Sequence, residues 1–228
     1  MTDKAYLCPM RALVGLAGSF SALLLAQSRA AWGGGGWGFV GYTQIGGYGQ
    51  LRQAVQAAGL ALPSASSGVE VGGGGGGYLG RVFVGGTGSY YAGKAVSGGA
   101  GFGVVGYFWR LKERWILMPL VGVGGGGYTF FVQGRPAEAP FDQATTGGGL
   151  PPRSFSTGGV LGSGSVILQY FTSKGFLLGL QAGYEQALSS LRDWSAAGIS
   201  LQNGPSVQPQ RFYVRLLLGG GSLSAPQN

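Results

Sequence analysis

The sequence predicts an all-β protein, an eight-stranded antiparallel up-and-down β-barrel with one short helix in its first long loop. Three observations support this fold. Glycine makes up 50 of the 228 residues and is interleaved with large apolar residues in eight segments of strand length. Within the segments, apolar side chains alternate with small or polar ones, as they do along a strand whose two faces differ. The connections between the segments also alternate, between tight turns and long loops.

The eight segments are bounded by breaks rich in glycine, serine and proline. The expected strands cover 36–46, 68–79, 81–92, 96–110, 114–131, 157–171, 175–187 and 210–222. Tight turns follow the second, fourth and sixth strands, and the longest connections follow the first, fifth and seventh. The third connection is the exception, because it is short where the alternation predicts a long loop. In an up-and-down chain this sorting gives one end of tight turns, the turn end, and one end of long loops, the loop end. Bacterial outer-membrane barrels have this layout.

The first long connection contains a short amphipathic segment. Leu51, Ala54, Val55 and Ala58 recur at helical spacing, and Gly59 follows as a stop signal. We expect a helix here that caps the mouth of the barrel. The alternative is a helix that lies on the headgroup layer outside the barrel.

The last two strands show the alternation most clearly. Their apolar faces carry Phe176, Leu178, Leu180, Ala182 and Tyr184 in the seventh strand and Phe212, Val214, Leu216 and Leu218 in the eighth. We expect these faces to meet lipid, and the opposite faces to line the lumen. The fourth strand is expected to follow the same rule, with Phe102 and Val104 on its apolar face. Pro119 has no amide hydrogen and should lie at a bulge or near a rim.

Polar residues on the other faces predict a network in the lumen. Glu185 and Gln181 share the small face of the seventh strand, and Arg215 and Tyr213 share the matching face of the eighth. We expect Glu185 and Arg215 to pair inside the barrel, with Glu70 joining from the second strand, because an unpaired buried carboxylate is costly. We interpret the group as a structural plug of the lumen; a gate or polar relay is the functional alternative.

Aromatic residues bracket the three tight turns, each around a basic residue. Tryptophan and tyrosine favour the membrane–water boundary because each has an apolar body and a polar tip. We therefore expect an aromatic girdle at the turn end. Its predicted members are Tyr78, Phe83, Trp109, Trp115, Tyr170 and Phe176.

The chain has no histidine, and its one cysteine, Cys8, lies in the N-terminal segment. The usual general base and the commonest metal ligand are therefore missing, which argues against Ser-His catalysis and against zinc, haem or thiol chemistry. The glycine run 72–77 lacks the Gly-Lys-Ser/Thr ending of a phosphate loop and is interpreted as strand. We expect no enzymatic activity, no metal and no cofactor.

Residues 1–30 are expected to be an export signal peptide, leaving 31–228 as a single barrel domain. Lys4 and Arg11 precede an apolar stretch of about 15 residues, too short for a spanning helix, and cleavage after Ala30 fits the small-x-small pattern. A retained anchor is the alternative. Only 10% of residues are charged, and the basic ones are scattered singly, so we expect no nucleic-acid binding.

From Gly36 to Gly221 the pattern resembles small eight-stranded outer-membrane barrels of the outer-membrane protein A, X and W class. The run Gly41-Tyr42-Thr43-Gln44-Ile45 is also similar to the Gly-Tyr-Thr/Met-x-Ile opening of certain glycine-rich bacterial barrels. The resemblance implies a monomer in the outer membrane, with membrane lipid as its partner. Any protein or glycan partner of the long loops is not specified. We expect a structural, surface-contact or narrow transport role; the alternative is a secreted or periplasmic soluble barrel that binds a small apolar ligand in its lumen.

Overall fold

The structure is a computed structural model that describes residues 32–132, 154–196 and 198–223. The expected signal peptide and nearly all of the fifth connection lie outside the described residues. In chain order the elements are β1 (Trp32–Gly46), α1 (Gly49–Ala57), β2 (Ser66–Leu79), β3 (Val82–Gly93), β4 (Val96–Tyr107), β5 (Trp109–Lys112), β6 (Trp115–Phe131), β7 (Ser154–Phe171), β8 (Phe176–Ala187), β9 (Trp194–Ala196), β10 (Ile199–Leu201) and β11 (Gln210–Leu223).

Eight long strands close into an antiparallel barrel, which confirms the predicted fold class. The barrel order is β1, β2, β3, β4, β6, β7, β8 and β11, and β11 pairs with both β8 and β1 to close the ring. Every barrel strand therefore has two hydrogen-bonded neighbours, and no long edge is left open. The glycine run 72–77 lies within β2, as expected.

Pro119 lies in β6 beside an interruption of one ladder. The pairing of β4 with β6 stops at Leu120, and pairing resumes with β5 at Leu117. Between β4 and β5, the amide of Phe108 instead donates to the carbonyl of Arg81 at 2.9 Å. The ladder breaks at the position where Pro119, which has no amide hydrogen, would otherwise have to donate a hydrogen bond.

Side chains alternate between the lumen and the outer wall, and the last two strands have the predicted orientation. Leu178 and Leu216 are 47% and 42% exposed on the outer wall, whereas Gln181 and Leu217 are buried. The apolar outer surface is what a bilayer-spanning barrel requires.

The predicted orientation of the fourth strand is wrong. Phe102 and Val104 are buried in the lumen, and Val105 and Tyr107 lie on the outer wall. The rule that the more apolar face meets lipid fails here because the lumen is apolar at both ends. The outer wall, in turn, carries a row of glycines that crosses five neighbouring strands in register: Gly38, Gly73, Gly88, Gly101 and Gly125.

Aromatic side chains fill the lumen near the turn end. The ring of Phe83 lies 5.8 Å from that of Trp37 and 5.1 Å from that of Tyr78, between ring centroids. Glycines on the inner face make room for such rings: a Cβ atom on Gly76 would lie 2.7 Å from Cζ of Phe83. An eight-stranded barrel is just wide enough for side chains to fill it. The high glycine content thus allows large residues inside a narrow barrel.

Helix α1 closes the lumen at the loop end, as expected from the sequence. Leu51 and Val55 are buried in the core, and the ring of Tyr48 packs edge-on against Phe130 at 5.2 Å between centroids. Burial raises the pKa of Tyr48 to about 12. Gly59 follows the helix with a φ of +75°, which a residue without a Cβ adopts readily.

The seventh connection contains a short hairpin, β9–β10, that the sequence did not predict. Strand β9 pairs with the start of β7, and Trp194 packs against Phe130 at 5.8 Å between centroids. The indole N–H of Trp194 donates to the carbonyl of Pro205 at 2.7 Å. Together with α1, this segment covers the mouth of the barrel.

Candidate functional site

Four charged residues lie together inside the lumen: Glu70, Glu185, Arg211 and Arg215. Each side chain is at most 1% exposed. Strand β11 supplies both arginines, β8 supplies Glu185, and β2 supplies Glu70 across the intervening β1. The apolar ends of the lumen lie above and below this group, so its charges are shielded from water.

Glu70 bridges the two arginines. Arg215 holds it with two donors: Nε donates to Oε2 at 3.0 Å and Nη2 donates to Oε1 at 2.6 Å. Nη1 of Arg211 donates to the same Oε1 at 2.7 Å. Such bidentate, charge-assisted contacts are the strong ones among protein hydrogen bonds.

Glu185 also contacts both arginines, and these contacts complete the ring of charges. Nε of Arg211 donates to its Oε2 at 2.9 Å, and Nη2 of Arg211 also contacts that oxygen. Nη2 of Arg215 reaches Oε1 at 3.4 Å. The pairing predicted from sequence, Glu185 with Arg215, is therefore the longer of its contacts. The ladder register explains this, because Glu185 lies directly opposite Arg211, and Gln181 lies opposite Arg215.

Neutral polar groups accept hydrogen bonds from further donors of the two arginines. Gln181 accepts a hydrogen bond from Nη1 of Arg215 at 3.3 Å, and its side-chain amide donates one to Oγ of Ser165 at 2.9 Å. Ser89 accepts from Nη2 of Arg211 at 3.1 Å. A buried ion pair is tolerated only when such additional hydrogen bonds satisfy it.

Tyr213 lies between the two arginines on the inner face of β11. The guanidinium carbon of Arg215 lies 3.6 Å from the centroid of its ring, and that of Arg211 lies 5.6 Å away. On their other sides Arg211 lies over Tyr91 at 4.6 Å and Arg215 over Phe39 at 4.3 Å. Cation–π contacts of this kind strengthen when the partners are desolvated.

All five predicted network residues thus lie in the lumen, together with Arg211, which was not among the predicted members. The signal was present: residues 211, 213 and 215 share one face of a strand by simple alternation. Arg211 stood at the edge of the predicted strand and was not assigned to a face. In the structure it contacts both carboxylates, that of Glu70 at 2.7 Å and that of Glu185 at 2.9 Å.

The network holds two positive and two negative groups and is neutral as a whole. Removing one partner from such a group leaves an uncompensated buried charge. Within the described ranges, acidic residues form no cluster that could hold a metal ion. The arrangement therefore fits fixed closure of the lumen; it offers no exposed acid or base to a substrate.

The predicted aromatic girdle needs a correction. Tyr78 and Phe83 face each other across the β2–β3 ladder and are buried in the lumen, so neither meets the boundary of a bilayer. The prediction took nearness to a tight turn as sufficient and ignored the alternation of faces. Trp109, Trp115 and Phe176 are 47%, 40% and 66% exposed on the surface. Tyr170 is half-buried beside Trp115.

Comparison with known proteins identifies the fold. No protein-family model and no curated protein matches the sequence. The crystal structure of Neisserial surface protein A (NspA) matches with a TM-score of 0.56 and 4% identity, over 82% of this chain and 96% of that one. Ail, the attachment invasion locus protein of Yersinia pestis, matches with 0.43 and 13%, over 85% and 99%. The outer membrane protease OmpT from Escherichia coli matches with 0.40 and 6%, over 86% and 98%.

The likeness is one of fold. The chain has the fold of a small eight-stranded antiparallel barrel, the fold that the resemblance in the sequence predicted. At 4% identity the match to NspA carries no residue of a site from one protein to the other. Among the described residues, no helix is long and apolar enough to cross a membrane.

Proposed function

We propose that this protein is a non-enzymatic outer-membrane barrel, closed to solutes, with a structural or surface-contact role at its loop end. The observation that carries the proposal is the filled lumen. The four-charge network occupies the barrel between an aromatic cluster at the turn end and the α1 cap at the loop end. No separate mobile element is needed to keep such a barrel shut.

The outer membrane is the location that fits the outer wall. Large apolar residues such as Val121, Leu180 and Val214 are 68%, 55% and 55% exposed there. A soluble barrel would have to solvate these side chains, and large contiguous apolar patches are rare on soluble monomers. The alternative, a secreted barrel with an apolar ligand in its lumen, is disfavoured because large side chains and the ion network already occupy that space.

The absence of histidine from the chain favours a non-enzymatic role. The buried carboxylates do not supply a replacement, because Glu70 and Glu185 are both held by arginines and closed off from solvent. A narrow transport role would require the four-charge network to open, whereas its charges are paired with one another inside the lumen.

Surface contact is favoured by the loop end. There, Leu188, directly after β8, and Ile199, in β10, are 60% and 67% exposed. A purely structural barrel has no need of apolar side chains at that position. The nature of the contacted surface is left open.

Bilayer recording tests the closed barrel. The parent protein, refolded into planar lipid bilayers, is expected to give no steady conductance. A matched variant, Glu70→Ala with Arg215→Ala, removes one carboxylate and one guanidinium together and should raise the frequency of brief openings. A large and stable conductance of the parent would make transport the better assignment.

A further inference from the structure

Positive charge is concentrated at the turn end. One carboxylate, that of Glu113, lies among five exposed cations there. The cations are Arg81, Arg110, Lys112, Arg114 and Lys174. At the loop end, by contrast, the described charged residues are Arg52, Lys94, Arg192 and Asp193.

Two of these cations share one arrangement with aromatic residues. Arg81 immediately precedes β3, and its Nη1 donates to the phenol oxygen of Tyr107 on β4 at 3.3 Å. The ring of Tyr107 packs edge-on against Trp109 at 5.6 Å between centroids. A guanidinium, a phenol and an indole thus stand side by side at the rim of the outer wall.

The same arrangement recurs further around the barrel. Arg114 immediately precedes β6, and its Nη1 donates to the phenol oxygen of Tyr170 on β7 at 3.5 Å. The ring of Tyr170 lies 5.2 Å from that of Trp115. We call these two groups, Arg81–Tyr107–Trp109 and Arg114–Tyr170–Trp115, the Arg–Tyr–Trp units.

Each unit presents a guanidinium beside its two amphipathic rings. The hydrogen bond that each guanidinium donates to its tyrosine oxygen raises the pKa of Arg81 and of Arg114 above its usual value. Within the described residues, the ion pairs involve only the two lumen arginines, so neither of these guanidinium groups is paired with a carboxylate. One N–H of each guanidinium is used by the phenol, whereas a guanidinium has five donors in all.

The chemistry of the units matches a phosphate at a membrane surface. A guanidinium is planar and matches two phosphate oxygens at once, and tryptophan and tyrosine favour the headgroup level of a bilayer. We propose that the turn end binds the phosphates of anionic phospholipids, with each Arg–Tyr–Trp unit seating one headgroup. This inference rests on the proposed membrane-spanning barrel.

Quenching of tryptophan fluorescence by brominated lipids tests it. Trp109 and Trp115 are exposed on the surface, whereas the buried Trp37 and Trp194 are shielded from lipid. The parent protein is refolded into phosphatidylcholine vesicles containing increasing fractions of brominated phosphatidylglycerol or brominated phosphatidylcholine. The ratio of the two quenching curves gives the preference for the anionic headgroup. We expect a preference of about two- to fivefold, falling in 0.5 M salt because exposed charges are screened.

Matched variants assign the preference to the units. Arg81→Gln with Arg114→Gln should bring the ratio close to one, whereas Lys94→Gln with Arg192→Gln, at the loop end, should leave it at the parent value. Folding of each variant is checked by its heat-dependent shift on a gel. The proposal is overturned when the first variant folds and keeps the parent's preference, or when both variants lose it equally. Failure of both brominated lipids to quench the parent would instead count against the membrane-spanning barrel itself.

Discussion

Arg211 lies directly opposite Glu185 across the β8–β11 ladder, and its Nε donates to Oε2 of Glu185 at 2.9 Å. The same guanidinium reaches Glu70 at 2.7 Å. One side chain therefore joins carboxylates from two strands that do not neighbour each other. This cross-barrel link makes the four charged residues a single network. Their contributions to the free energy of unfolding should therefore be coupled.

A double-mutant cycle on Glu185→Gln and Arg211→Met tests that coupling. Each single change leaves a buried group with a net charge and is expected to lower the free energy of unfolding by about 3–5 kcal/mol. The double variant keeps the neutral Glu70–Arg215 pair, so its loss should be clearly smaller than the sum. Equilibrium urea unfolding in lipid vesicles measures all four proteins. Additive losses would mean that the two residues act independently.

Alternation along the last two strands was enough to place Glu185, Gln181, Tyr213 and Arg215 in the lumen, because a strand has only two faces. It could not give the pairing. Whether Glu185 meets Arg211 or Arg215 depends on the register between β8 and β11, which the lengths of the connections do not determine. Register is a tertiary property, and a shift of four residues would bring Arg215 opposite Glu185 without changing either face.

Arginine substitutions on the outer wall test the membrane location. Leu178→Arg and Leu216→Arg are expected to cost roughly 2–4 kcal/mol of unfolding free energy if these residues lie at the bilayer midplane. Leu188, beyond the end of β8, is similarly exposed at 60%, and Leu188→Arg serves as the control with a change near zero. The measurement is equilibrium unfolding in vesicles. Small and equal changes in unfolding free energy for all three variants would contradict the membrane location.

The wrong face predicted for the fourth strand has a physical cause. A polar lumen was expected, and Phe102 was therefore assigned to the lipid face. The lumen instead has an apolar core at each end of the network, and glycines on the inner wall make room for it. Glycine has no side chain and marks a strand face neither as apolar nor as polar. In a strand that alternates glycine with apolar residues, the sequence therefore does not show which face meets lipid.

Two glycine substitutions separate the inner wall from the outer wall. On Gly183 a Cβ atom would collide with the ring of Tyr213 and lie 2.7 Å from Cβ of Ser165, so Gly183→Ala should cost about 1–3 kcal/mol through overpacking. On Gly101 the nearest atom would be the carbonyl oxygen of Thr87, at 4.0 Å. Gly101→Ala should therefore stay within about 1 kcal/mol of the parent, or stabilise it slightly by restricting the unfolded chain. Unfolding in vesicles is the measurement, and a reversed order would contradict the assigned faces.

The last prediction concerns the cap at the loop end. Leu51 is 3% exposed in α1, so Leu51→Ala should lower the free energy of unfolding by about 2–4 kcal/mol, because it leaves a cavity under the helix. Gln53, on the exposed side of the same helix, provides the control, and Gln53→Ala should change stability by less than about 0.5 kcal/mol. The loss for Leu51→Ala should be the same in vesicles and in detergent micelles, because the helix packs on protein. A loss seen in vesicles alone would place the helix on the headgroup layer and leave the mouth of the barrel uncapped.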